Sequence, residues 1–220
     1  MLLAHARPHV VRQYETLPDA APGVATAAVG HARDLQDRDV GCLAWAVHLS
    51  HDGRRVVTVE TWKDEATFRR ASRSAASDRS TPSPTDVQLY RWVGGDGVQP
   101  TPVTDPAAGV VVIDVFRVWR PLLRPVSAFN LRNGRDFGRQ PGCVSTTVMR
   151  SVTAGRIATY ARWRTVEDFL AAFSTLTGRP VASTDDVNEA AARMTRGFLR
   201  TDYHAHDLVD AWEGATVTGG

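Results

Sequence analysis

The sequence predicts two tandem copies of one small α+β unit. Three observations carry that prediction: an internal repeat, a Gly/Pro/Thr-rich join between the copies, and the same order of strand-like and helical segments in each. Slid against itself, the chain matches at an offset of 101 residues, which sets GCLAWAVHLSHDGRRVVTVETWKDEATF (41–68) on GCVSTTVMRSVTAGRIATYARWRTVEDF (142–169) without a gap. Eight of these 28 positions are identical, among them Cys42/Cys143, Thr58/Thr159, Trp62/Trp163 and Phe68/Phe169. Chance would give roughly two. The same offset places HVVRQYETL (9–17) on VVVIDVFRVW (110–119). Between the copies, VGGDGVQPTPVTDPAAG reads as a surface linker. The expected organisation is a first domain over 1–94, a linker over 95–108 and a second domain over 109–220.

Each copy opens with a β-rich run and passes through a turn into a helical stretch, GVATAAVGHARDLQDRD in the first and RPVSAFNLRNGRDFGRQ in the second. Gly41 and the Pro141-Gly142 pair stop these helices. Two strands follow, LAWAVHLS and RRVVTVETW in the first copy, joined at His51-Asp52-Gly53, then VSTTVMRS and RIATYARW in the second. Past each tryptophan, KDEATFRRAS and TVEDFLAAFSTL are helix-forming, with acidic residues in the first turn where they suit the helix dipole. DVQLYRWV (86–93) and a strand within 201–212 close the two copies. The order β-α-β-β-α-β is ferredoxin-like. The second copy adds an amphipathic helix near 183–199, with Val187, Ala191, Met194 and Phe198 on one face, to pack against the domain or to wall a cavity.

Composition narrows the function classes. The chain has 220 residues, 43% hydrophobic, and no apolar run long enough to span a bilayer or to act as a secretion signal, so a cytoplasmic location and no membrane partner are expected. A net charge of +2, spread along the chain, announces no nucleic-acid surface. Cys42 and Cys143 read as core residues rather than a disulfide or a zinc half-site. No GxGxxG, GxxxxGK[ST], GxSxG or HExxH motif is present. Asp202, His204 and His206 share one face of a strand, but three ligands in one short stretch are few for a metal; a solvated strand edge is the reading, with no metal.

DVGCLAWAVHLS with VETWKDEATF, and QPGCVSTTVMRS with YARWRTVEDF, resemble the antibiotic biosynthesis monooxygenases of the dimeric α/β-barrel superfamily. That resemblance implies a covalent pseudo-dimer, with the antiparallel sheets of the two ferredoxin-like units packed as in a dimeric α/β-barrel. It further implies oxidation of a flat polycyclic aromatic, commonly a polyketide intermediate, by O2 without flavin, haem or metal. The protein would bind the rings, place hydrogen-bonding groups at a developing oxyanion and exclude water.

In these oxygenases a tryptophan at the end of the third strand matters, a position held here by Trp62 and Trp163. The family asparagine four residues earlier is replaced by Thr58 and Thr159, and the opening-strand asparagine by Gln13 and Asp114. Gln13 could donate an amide hydrogen bond and Asp114 could act as a base. Glu60 shares the face of Thr58 and Trp62, but Ala161 stands at its counterpart in the second copy, so one site per chain is expected. His48 and Tyr160 are further candidates for lining a cavity. The family's polyketide cyclase relatives and a non-catalytic binding role are the alternatives. Haem degradation does not fit, because neither helix after the tryptophans carries a histidine. The expected partners are an apolar aromatic substrate and O2, and two chains could pair as a homodimer.

Overall fold

A computed structural model describes residues 7–75, 82–94, 107–194 and 201–214. The elements run β1 (Pro8–Glu15), α1 (Ala21–Asp37), β2 (Cys42–Ser50), β3 (Arg55–Trp62), α2 (Glu65–Ala75), β4 (Asp86–Gly94), β5 (Val110–Arg117), a 3-10 turn (Arg120–Leu122), α3 (Leu123–Gly138), β6 (Cys143–Ser151), β7 (Arg156–Trp163), α4 (Val166–Thr177), α5 (Thr184–Met194) and β8 (His204–Glu213). The linker expected over 95–108 lies almost wholly outside the described residues, as do 195–199 of the added helix, Phe198 included.

The chain divides into two compact units, and each is a ferredoxin-like α+β sheet of the dimeric α/β-barrel type. In the first, β1 and β2 flank β3, with Arg12 opposite Thr58 and Val47 opposite the same residue. In the second, β5 and β6 flank β7, with Asp114 and Val148 both opposite Thr159. The closing strands differ from expectation, because neither stays in its own unit. Residues 90–94 of β4 belong to the second unit, where Tyr90 pairs with Ser151 and Trp92 with Met149. Residues 204–206 of β8 pair with β5, while 208–213 belong to the first unit, and the following Gly214 amide bonds to the Leu43 carbonyl at 2.9 Å. Such divided strands give the outer strand of each sheet a backbone partner instead of an open edge.

Each helix covers its sheet through a stripe set by sequence. Ala21, Ala25, Ala28, Ala32 and Leu35 recur at helical spacing on α1 and are buried, the last four in one cluster with Tyr14, Trp45 and Trp62. Small alanines let α1 lie close to large aromatic side chains on the strands. On α3 the buried residues are Val126, Ser127 and Asn130, and on α4 Phe169, Ala172 and Phe173. Thr165 caps α4 by accepting from the Asp168 amide at 3.1 Å, and Asp64 likewise accepts from the Thr67 amide at 2.7 Å before α2. Helices α1 and α3 end at Asp37 and Gly138, a few residues before the glycines expected to stop them. Gly41 and Gly142 instead lead the chain into β2 and β6, at φ of 90° and 83°. A Cβ on Gly142 would overlap the Asp168 side chain, whereas one on Gly178, also at positive φ, would meet nothing. Gly142→Ala is therefore expected to cost about 2–4 kcal/mol and Gly178→Ala about 1 kcal/mol. Urea unfolding midpoints of the two variants check the order.

Candidate active site

Cross-strand register sorts every candidate onto one of two sheet faces, because directly opposed residues point the same way. On the first unit's helix-covered face, Val10, Arg12 and Tyr14 stand with Thr58, Glu60 and Trp62, and with Trp45 and Val47 of β2. On the second unit's helix-covered face, Val112, Asp114 and Phe116 stand with Thr159, Ala161 and Trp163, and with Thr146 and Val148 of β6. Gln13 pairs with Val57, on the other face from Trp62. The residue that truly corresponds to Asp114 is Arg12, since both lie opposite the repeat threonine. Position 13 was matched to 114 by an offset of 101, but the opening strands are related by 102, and a one-residue slip in a strand turns each side chain to the opposite face. His48, opposite Val57, and Tyr160, opposite Ile113, also lie away from the tryptophans. These three do not join the site.

In the first unit the helix-covered face is filled. Trp45 and Glu60 are opposed, both almost fully buried. Glu60 accepts from Arg12 Nε at 2.6 Å and from Trp62 Nε1 at 2.8 Å, and the Arg12 guanidinium lies 6.0 Å from the Phe68 ring. Burial pushes the Arg12 guanidinium down, but the charge and hydrogen bond of Glu60 leave it above its ordinary value. Thr58 is buried, its hydroxyl without a partner among the described residues. Trp62 thus has its one donor engaged inside a closed ionic cluster.

In the second unit, Thr146 and Ala161 occupy the paired positions of Trp45 and Glu60, and space opens. A cavity of about 730 Å³ lies among the start of α3, α4, α5 and the end of β5, walled by Phe116, Val126, Phe137, Phe173 and Tyr203. Its volume falls in the range of roughly 300–1,000 Å³ usual for small-molecule sites. Phe129, Leu176 and Met194 are exposed large apolar residues among its lining. A chamber of about 50 Å³, bounded by Thr146, Thr159, Ala161 and Trp163, shares Asn130, Asn133, Phe137 and Tyr203 with the larger cavity. Trp163 is fully buried, held edge-on by Phe137 at 6.1 Å and Phe169 at 5.7 Å. Its indole Nε1 has no hydrogen-bond partner among the described residues. A buried donor left unpaired costs free energy unless a ligand or water meets it, so this N–H marks the point where a polar atom of a bound molecule would sit.

Asp114 is fully buried, and Tyr203 spans the cavity beside it. Its Oδ1 accepts from the Asp202 amide at 2.7 Å, while Oδ2 is not paired in the hydrogen-bond geometry of the described residues. Burial pushes this carboxyl up to about 8, against the opposing pull of the Asp202 amide. The Tyr203 hydroxyl is raised well above its ordinary value, first by burial and then by Asp114. Helix α5 fixes this tyrosine: Asn188 Nδ2 donates to the Tyr203 carbonyl at 3.0 Å, and the Tyr203 amide donates to Asn188 Oδ1 at 2.8 Å. The added helix is both packing element and cavity wall, through buried Val187 and Ala190 and through Ala191 and Met194.

Asn130 and Asn133 were not among the sequence candidates. Asn130 donates to the Val126 carbonyl at 3.0 Å and presents the rest of its amide to the chamber, while Asn133 forms no hydrogen bond among the described residues. The lost strand asparagines thus have amide counterparts on α3. Their three-residue spacing, which puts both on one helical face, was the available signal. His206 is buried rather than at a solvated edge, and His204 Nε2 lies 2.9 Å from Asp202 Oδ1. No group of potential metal ligands occurs among the described residues.

Residues 8–79 match the family model described as antibiotic biosynthesis monooxygenase. That match covers most of the first unit, which is thus similar to the antibiotic biosynthesis monooxygenases. No curated protein matches the sequence. Among solved structures, an anthrone oxidase-like protein superposes with a TM-score of 0.72 at 13% identity, over 100% of this chain and 99% of that one. A candidate monooxygenase of Fusobacterium nucleatum gives 0.62 at 10%, over 99% and 97%. A ferredoxin-fold protein of Listeria monocytogenes, related to antibiotic biosynthesis monooxygenases, gives 0.51 at 10%, over 94% and 97%. At these identities the likeness is one of fold. The antibiotic biosynthesis monooxygenase signature thus matches the first unit, while the large apolar cavity lies in the second. No helix among the described residues is long and apolar enough to cross a membrane.

Two outcomes follow from the buried charges. The folded pKa of Asp114, about 8, exceeds the ordinary 3.8, so the folded protein keeps a proton that the unfolded chain releases. Its contribution to stability is full below the ordinary value and is lost as pH rises through about 8, at no more than roughly 1.4 kcal/mol per pH unit. Between pH 5 and 8 the Tm of the wild type should fall more steeply than that of Asp114→Asn; equal slopes would remove Asp114 as the titrating group. Glu60→Ala strands the Arg12 guanidinium and the Trp62 N–H and should destabilise the protein by about 3 kcal/mol in denaturant titration.

Proposed function

We propose that this chain is a cofactor-independent monooxygenase that oxidises a flat polycyclic aromatic of polyketide type with O2, in antibiotic or other secondary-metabolite biosynthesis, and that the second unit holds the active site. The observation that carries the reading is the unpartnered indole N–H of buried Trp163, which borders a small chamber that shares Asn130, Asn133, Phe137 and Tyr203 with the larger aromatic-walled cavity. The match of the first unit to the antibiotic biosynthesis monooxygenase model supports it, as does the fold shared with an anthrone oxidase-like protein.

The chemistry needs little from the protein. An anthrone-like carbon acid loses a proton, and the resulting carbanion gives an electron to O2. The radical pair joins as a substrate hydroperoxide, which loses water to leave a new C=O; one oxygen atom ends in the product and one in water. Trp163 Nε1, with the Asn133 amide, donates to the oxygen that gathers charge, in a site from which Phe116, Phe137 and Phe173 exclude water. Asp114 takes the proton through the Tyr203 hydroxyl. A base with a pKa near 8 becomes available as pH rises through that value, so turnover increases from pH 7 to 9. Trp62, whose N–H is engaged by Glu60, and the filled face around it serve as scaffold.

A second reading uses the same pair in reverse. Below pH 8 a protonated Asp114 suits general-acid cyclisation and dehydration without O2. Oxygen-electrode assays of purified, metal-free protein with anthrones and hydroxylated polycyclic compounds separate the two. Under the proposal, Trp163→Phe loses at least ten-fold in O2 uptake and Trp62→Phe stays within about two-fold, an N–H to a developing oxyanion being worth that much or more. Anaerobic conversion would assign the cyclase. Tight binding without turnover, unchanged in Asp114→Asn, would leave a binding protein.

A further inference from the structure

A second hollow in the same unit, of about 520 Å³, is lined by Arg91, Arg120, Arg124, Arg150, Pro121, Leu123, Ser151 and Val152, with no acidic residue among them. Its basic residues come from four elements: β4, β6, the 3-10 turn and the first turn of α3. Arg91 and Arg150 are directly opposed across the β4–β6 ladder. Arg120 is held in place through Nη2, which donates to the Thr153 carbonyl at 2.6 Å. Arg124 and Arg150 form no ion pair or hydrogen bond among the described residues. Helix α3 follows directly on the 3-10 turn with no side-chain cap and no acidic residue in its first turn, so it brings no negative charge to the side where the arginines gather.

We infer that this hollow is a binding site for a phosphoryl anion, either free phosphate or diphosphate or the phosphorylated end of a larger small molecule. Planar guanidinium groups match phosphate oxygens two at a time, and three or four of them around one concavity favour a ligand carrying two or more negative charges over a monocarboxylate. The site is distinct from the aromatic cavity: the two share no lining residue and lie against the same stretch of chain, with Leu122 and Pro125 lining one and Leu123 and Arg124 the other. Phosphoryl binding does not depend on the oxygenase reading.

Isothermal titration of the full chain with inorganic diphosphate, phosphate and acetate at low ionic strength tests the inference, using wild type, Arg124→Gln, Arg150→Gln and the double variant. Thermal melts would establish that each variant is folded. The expected result is saturable one-to-one binding in the order diphosphate, phosphate, acetate, weakened at least five-fold in each single variant and at least thirty-fold in the double one, with Trp163→Phe unchanged. If a phosphorylated aromatic also binds at least ten-fold tighter than its unphosphorylated parent, and Arg124→Gln with Arg150→Gln removes that gain, the anion is part of a larger ligand. Equal binding of the two aromatics alongside diphosphate binding assigns a free anion. Absence of diphosphate binding to the wild type, or equal affinity in the folded double variant, overturns the inference.

Discussion

The volume available at one cross-strand pair governs what each unit can do. Where β2 and β3 oppose Trp45 and Glu60, two large buried side chains occupy the layer between sheet and helix, and the alanine stripe of α1 closes over them. Where β6 and β7 oppose Thr146 and Ala161, that layer is left thin, and packing is restored only farther out, by the aromatic ring set of Phe137, Phe169, Phe173 and Tyr203. Protein interiors do not keep voids for nothing, because lining atoms without neighbours lose dispersion contacts. The buried indole N–H of Trp163, beside the smaller chamber, forgoes a hydrogen bond as well. Repetition of a fold therefore does not imply repetition of a site: the same backbone carries Trp45 and Glu60 in one copy and Thr146 and Ala161 in the other.

Charge follows the same division. In the first unit the buried Arg12 and Glu60 satisfy each other, and Trp62 completes the cluster, so the ionised forms persist out of water. In the second unit Asp114 stands at the place of Arg12 with Ala161 where a countercharge would be, and its solution is to hold its proton. A carboxyl that can change charge near neutral pH is of little use to stability and of much use to proton transfer. That the added helix α5 is spent on anchoring Tyr203, beside this carboxyl, points the same way.

Much of this was legible in the sequence, and the part that was not has a physical reason. The repeat, the β-α-β-β-α-β order and the equivalence of Trp62 with Trp163 came from a gapless match between residues 41–68 and 142–169, where strand, turn and strand have equal length in both copies. The opening strands lie beyond a stretch that differs by one residue, and a side-chain period of two turns that single residue into the wrong face. Hence Gln13 was matched with Asp114, and Arg12, the true counterpart, was passed over. His48 and Tyr160 illustrate the same limit: alternation divides a strand into two faces but does not say which face the helices cover. The inequality of the two copies, by contrast, was readable from Glu60 against Ala161 alone.

The divided strands β4 and β8 bear on why the two copies remain in one chain. Each closing strand begins in the sheet of its own copy and ends in the other unit, so neither unit has its full set of strands without residues contributed from the other copy. A duplicated fold held together this way is free to lose function in one copy while keeping its structure, since the first unit is retained for the strand it supplies and receives. Under that constraint Trp45, Glu60 and Arg12 can fill the first unit for stability, and the second unit, relieved of that demand, can carry the cavity, the unpaired Trp163 donor and the proton-holding Asp114. Under the proposed assignment, the half that matches the family model supports the site and the other half forms it.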